Sequence, residues 1–129
     1  MKFDGVLFFP VTPFTAEGTV DVDLLKEHIS SRLPFGPGGV FPACGTGEFH
    51  ALSIEEVSTV VAAAVEAVAG KVPVVAGAGG PLGHAIAAAR AAEEAGADAL
   101  LVLPPYLVTG PPMAWLPTSR PWPMPAACR

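Results

Sequence analysis

Cysteine is scarce in this sequence: only Cys44 and Cys128 occur, and neither sits in a Cys-x-x-Cys pair. That excludes a disulfide framework and a cysteine-built metal site, and it suits a reducing, cytoplasmic setting. Positive charge is scarce too. Lys and Arg number 7 against 12 Asp and Glu, for a net charge of −5, and no basic cluster is present to meet nucleic-acid phosphates. His28, His50 and His84 lie far apart without metal-ligand spacing, so no metal is expected and all three read as structural or solvent-facing. Long apolar runs are missing: none reaches the roughly 18–20 residues of a spanning helix. Met1-Lys2-Phe3-Asp4-Gly5 also lacks the apolar core of a signal peptide. We therefore expect neither a membrane nor a nucleic-acid partner.

What is present describes a packed α/β protein. At 129 residues, 51% hydrophobic and 15% charged, the chain is sized for one domain with a buried core. Val6–Val11 predicts a first strand, stopped by Thr12-Pro13 because proline cannot continue a central ladder. Leu24, Leu25, His28, Ile29 and Leu33, near a 3.6-residue spacing, predict a helix over 21–33. Val40–Ala43 predicts the second strand. Ser53, with Glu56 three residues on, predicts a capping box that opens a helix over 54–69, ended by Gly70. A third strand over 72–76, a third helix over 82–95 and a fourth strand over 99–103 follow. Strands apolar on both faces that alternate with helices imply a parallel sheet with covered faces. The pattern supplies about four βα units and does not itself say whether the sheet closes into a barrel.

In parallel α/β folds, sites assemble from loops at the C-terminal strand ends. In Pro10-Val11-Thr12-Pro13-Phe14, the Thr12 hydroxyl either orients a ligand or neighbour, or simply belongs to a stiff turn. In Cys44-Gly45-Thr46-Gly47-Glu48, two glycines around a threonine let backbone N–H groups approach an anion such as a carboxylate. The plainer alternative is a tight strand-to-helix turn. Glu48 reads as a structural carboxylate bonded to backbone amides, and Cys44 as a small buried residue, with no histidine placed to activate it. Gly77, Gly79 and Gly83 loosely mimic a dinucleotide fingerprint, but Asp98 precedes the following strand instead of ending it. Tyr106, after Pro104-Pro105, is either a proton donor or packing.

Taken together, these segments resemble the dihydrodipicolinate synthase and N-acetylneuraminate lyase superfamily. Gly5 to Phe14 looks like its first strand and loop, Gly45-Thr46-Gly47-Glu48 like its pyruvyl-carboxylate loop, and Gly96-Ala97-Asp98-Ala99 with Pro105-Tyr106 like its fourth strand. Residues 3–110 follow the family's order. Gly45 in place of a first threonine, and Leu107 in place of a second tyrosine, depart from the synthase and resemble the branch that acts on 5-dehydro-4-deoxyglucarate. The resemblance implies the N-terminal half of a (β/α)8 TIM barrel. It also implies a Schiff-base lyase that dehydrates and decarboxylates an acid-sugar substrate without a cofactor, in a family of homo-oligomers. Its site residues would be Thr12, Gly45, Thr46 and Gly47 for substrate and Tyr106 for catalysis.

The Schiff-base lysine that the resemblance implies, near the end of a sixth strand, is not among Lys2, Lys26 and Lys71. We expect a partial barrel over 1–110, truncated before that lysine and inactive as written, followed by an irregular Pro-rich tail over 111–129. In the tail, Pro111, Pro112, Pro117, Pro121, Pro123 and Pro125 forbid a helix. Codons read two bases later from Met113 can encode an amphipathic helix, so a frame change near 110–112 is our reading of the tail. An open edge predicts self-association. Two other readings stand beside this one: a non-catalytic half-barrel that acts by association, and a nucleotide-binding open α/β domain.

Overall fold

The computed structural model of the chain describes residues 3–104. Four strands and three helices alternate: β1 (Leu7–Phe8), α1 (Val22–Arg32), β2 (Gly39–Val40), α2 (Ile54–Val68), β3 (Val75–Ala78), α3 (Leu82–Glu94) and β4 (Ala99–Val102). β1 pairs parallel with β2, Leu7 opposite Gly39, and β3 pairs parallel with β4, Val75 opposite Ala99. A parallel bridge from Val40 to Val74 joins the two ladders. Strands that are neighbours in sequence are therefore neighbours in space, as short βα connections favour. The predicted tail, its boundary at residue 110, and Tyr106 lie outside the described residues.

The strands are shorter than the apolar runs, for local reasons. Pro42 has no N–H to donate and Ala43 adopts φ +49°, which ends β2 two residues after it starts. β3 begins at Val75, three residues later than the run predicts, although the Pro73 carbonyl already accepts from the Val40 N–H. It continues through Gly77, which faces Leu101 in the ladder.

The helices follow their caps. Asp21 accepts from the Leu24 N–H and starts α1, while Ser53 and Glu56 make both bonds of the capping box at α2. α2 ends one residue earlier than its pattern, with Ala69 itself in the left-handed region at φ +50° before Gly70. On α1 only Leu25 and Ile29 are fully buried, and Leu24 is exposed. α2 packs against both α1 and α3.

Alternation along the strands sorts the core into two layers. Val40, Val74 and Ala76 face the helices with Leu25, Ile29, Val57, Val61 and Ala64. Phe41, Cys44 and Val75 form a second cluster with Phe9, Ala99 and Leu101 on the opposite face. There Phe9 and Phe41 stack with ring centroids 4.7 Å apart. A sheet apolar on both faces is what a parallel β/α array requires.

Candidate functional site

The loops after β1 and β2 meet at the C-terminal edge of the sheet, and one side chain joins them. The Thr12 hydroxyl donates to the Gly47 carbonyl at 2.8 Å across a separation of 35 residues. The approach is close because position 47 is glycine. A Cβ there would lie 3.1 Å from the Ala43 nitrogen and 3.2 Å from the Pro10 carbonyl oxygen.

Between Ala43 at φ +49° and Glu48 at φ +59°, the segment Gly45-Thr46-Gly47 turns back on itself. The Glu48 and Phe49 N–H groups donate to the carbonyls of Gly45 and Cys44. By contrast, the N–H groups of Gly45, Thr46 and Gly47 have no partner among the described residues, although Gly47 is buried. Thr46 is exposed, and its hydroxyl has no partner among the described residues. Buried backbone donors are nearly always satisfied, which singles out the N–H of buried Gly47, whereas those of Gly45 and Thr46 belong to exposed residues. Two non-glycine residues in the left-handed region, one at each end, are the kind of local strain that collects at ligand sites.

Gly77 supports this loop from β3. A Cβ at Gly77 would meet the Ala43 carbonyl oxygen at 2.2 Å, so only glycine lets the Ala43 turn rest on the strand. Sequence reading missed this role, and its one visible signal was Gly77's place among the three glycines that loosely mimic a dinucleotide fingerprint. Gly79 is likewise pressed against the Leu103 carbonyl, 2.8 Å from where its Cβ would stand. Asp98 uses its carboxylate on the Val74 N–H, at the N-terminal end of β3. Gly77, Gly79 and the acid of the supposed fingerprint are thus engaged in strand packing, while Gly83 lies in the first turn of α3 with nothing within 4 Å of where its Cβ would stand, and the nucleotide reading loses its support.

The remaining candidates fall into supporting places. Cys44 is fully buried, its thiol directed to the Val75 carbonyl at 3.9 Å, and burial pushes its pKa up to about 12. A neutral buried thiol is no nucleophile at ordinary pH. The carboxylate of Glu48 is exposed and bonds to no amide among the described residues, unlike its expected structural role. His28 packs edge-on against Phe8, and His84 Nδ1 lies 3.2 Å from the Gly79 carbonyl. Among the described residues no group of three or more His, Cys, Asp or Glu could hold a metal, and no helix is long and apolar enough to cross a membrane.

Known proteins resemble this chain in sequence and fold. The sequence model of the dihydrodipicolinate synthetase family matches residues 2–114. A Streptomyces avermitilis protein named "Probable 5-dehydro-4-deoxyglucarate dehydratase 2" is 57% identical over 107 residues, covering 83% of this chain and 32% of that protein. A Bacillus subtilis protein named "Probable 5-dehydro-4-deoxyglucarate dehydratase" is 46% identical over 106 residues, covering 82% of this chain and 34% of that protein. The chain thus spans about a third of the length of the curated relatives it matches.

Among solved structures, a prophage protein of the dihydrodipicolinic acid synthase family from E. coli, in complex with pyruvate, superposes with a TM-score of 0.76 at 31% identity. It covers 83% of this chain and 36% of that one. The chloride-inhibited dihydrodipicolinate synthase from Acinetobacter baumannii, complexed with pyruvate, gives 0.79 at 27% identity, covering 88% of this chain and 39% of that one. The expected fold class holds for the described residues: they form the N-terminal part of a TIM barrel. With its parallel βα order, its glycine-threonine loop and a family match across the whole described region, the chain belongs to the dihydrodipicolinate synthetase family.

Proposed function

We propose that Gly45, Thr46 and Gly47 hold the carboxylate of an α-keto acid, with Thr12 completing the cradle. In this reading the chain is the front part of a barrel that converts 5-dehydro-4-deoxyglucarate to 2,5-dioxopentanoate, water and carbon dioxide. The observation that carries it is the run of unpartnered N–H groups over residues 45–47, beside an exposed threonine hydroxyl. Such donors match a carboxylate and gain strength from negative charge on the acceptor. The names of the relatives support the sugar-diacid substrate, and the two pyruvate complexes support an α-keto acid as the ligand.

The chemistry requires an amine to form a Schiff base with the keto carbon, which then acts as an electron sink for loss of water and of carbon dioxide. Lys26 sits on α1 and pairs with Glu66 at 2.6 Å, and Lys71 lies on the turn before β3. Neither stands at a C-terminal strand end. Lys2 lies outside the described residues. In this reading the amine belongs to a part of the barrel not contained in these 129 residues, and this chain alone forms no Schiff base. Tyr106, next after Pro105 in the sequence, is a catalytic hydroxyl that donates a proton or a hydrogen bond to a substrate oxygen. The proton-shuttling tyrosine of a fifth strand, like the amine, is not among these 129 residues. The whole barrel works as a cytoplasmic homo-oligomer without a cofactor.

Titration of the 129-residue chain with pyruvate, read by calorimetry, tests the proposal. Saturable binding is expected, weakened roughly tenfold in Thr46→Val by loss of a charge-assisted hydrogen bond. An absence of pyruvate binding, or a Thr46→Val variant that binds as well as the parent, would sink it. Borohydride reduction with pyruvate is expected to leave the chain's mass unchanged. A reduced adduct on Lys26 or Lys71 would contradict the assignment of the amine elsewhere.

A further inference from the structure

Resting on the carboxylate reading, we infer that Thr12 is a positioning residue. It acts on the substrate through the Gly47 peptide, by locking the carboxylate loop of β2 to the loop of β1. A hydroxyl has one proton to give, and that of Thr12 goes to the Gly47 carbonyl at 2.8 Å. The peptide it holds is the one that joins Gly47 to Glu48, and the Glu48 N–H closes back on the Gly45 carbonyl at 3.2 Å. One bond from outside therefore orients the plane on which the turn closes. Among the described residues no other side chain from outside the loop bonds to residues 45–48.

The loop needs such a restraint. Ala43 at φ +49° and Glu48 at φ +59° are both in a region unfavourable to side chains, and such conformations persist only where the surroundings over-determine them. Gly77 supplies one restraint from beneath Ala43, and Thr12 supplies the other at Gly47. With the Gly47–Glu48 peptide held and its N–H closed on the Gly45 carbonyl, the two peptides between them, which carry the Thr46 and Gly47 N–H groups, are restrained before the ligand arrives, and binding bears less of the cost of ordering them.

The test uses the 129-residue chain with Thr12→Val, which keeps the side-chain shape and removes the hydroxyl, and Thr12→Ser, which keeps the hydroxyl. Pyruvate affinity is expected to fall roughly fivefold to tenfold in Thr12→Val and to return to within about twofold in Thr12→Ser. In the ligand-free state, nitrogen-15 relaxation is expected to show rigid Thr46 and Gly47 amides in the parent and Thr12→Ser, and mobile ones in Thr12→Val. If Thr12→Val does not fold, Thr12→Ala against Thr12→Ser makes the same comparison across the single hydroxyl.

Parent-like pyruvate binding by Thr12→Val overturns the positioning role and leaves the carboxylate reading standing. Failure of the parent to bind pyruvate overturns the carboxylate reading, and relaxation then judges the lock alone. Mobile loop amides confined to the variant support it, and unchanged amides overturn it.

Discussion

Asp98 is bonded to both backbone groups of Val74, its carboxylate to the N–H and its own N–H to the carbonyl. The Val74 N–H donates to Asp98 Oδ2 at 2.8 Å, and the Asp98 N–H donates to the Val74 carbonyl at 2.8 Å. The pair fixes the register with which β4 joins β3, and Val74 is buried. Replacing Asp98 by Ala leaves that N–H without its acceptor and is expected to cost about 1–3 kcal/mol. Asp98→Asn, whose amide oxygen still accepts, is expected to cost less than half as much. Chemical denaturation of the two variants checks the order, and equal losses would show that charge and not hydrogen bonding is at stake.

Gly77 and Gly45 make a controlled contrast. A methyl at Gly77 meets the Ala43 carbonyl at 2.2 Å, whereas one at Gly45 meets nothing within 4 Å. Gly77→Ala is expected to destabilise by about 1–3 kcal/mol, since overpacking forces backbone to move. Gly45→Ala is expected to change stability by less than about 0.5 kcal/mol. Thermal melts distinguish them, and a parent-like Gly77→Ala would mean that the loop does not rest on β3.

The capping box at α2 is a measurable local contribution. Ser53 Oγ accepts from the Glu56 N–H at 3.2 Å, and Glu56 accepts from the Ser53 N–H at 2.8 Å. Ser53→Ala is expected to lower stability by about 1 kcal/mol. Adding Glu56→Ala should then cost little more, because the two bonds share one geometry. A double-mutant cycle provides the check, and full additivity would show independent contributions.

Cys44 has a pH signature of definite sign. Burial raises its thiol from the ordinary 9.0 to about 12. Between those values the unfolded chain loses the proton first, so ionisation favours unfolding. The contribution is intact below pH 9.0 and is lost as pH rises toward about 12. In a Cys128→Ala background, Cys44→Ala is expected to flatten the alkaline loss of stability, by up to about 1.4 kcal/mol per pH unit. At pH 8 the folded chain should resist thiol labelling and react only on unfolding. Rapid labelling of the native chain would place Cys44 at the surface.

Much of the local structure was legible in the chain itself. Asp21 and Ser53 mark helix starts because their side chains accept from N–H groups three residues ahead, a relationship written in linear spacing. The alternation of apolar runs and helical patterns likewise specified parallel β/α order, since strands apolar on both faces must be covered on both. Ala43 was different. Nothing in its identity announces φ +49°, which depends on Gly77 lying beneath its carbonyl, 34 residues away in sequence.

The same division holds at the site. The sequence by itself determined that a glycine-threonine turn follows the second strand, because glycine permits close backbone approach and threonine supplies a hydroxyl. Only the tertiary structure decided that Thr12 is bonded to Gly47, that Glu48 is exposed, and that Gly77 and Asp98 serve packing and strand register. The physical reason is distance along the chain. Caps and periodicities are set by neighbours a turn away, whereas these contacts join residues that meet only when four strands align side by side.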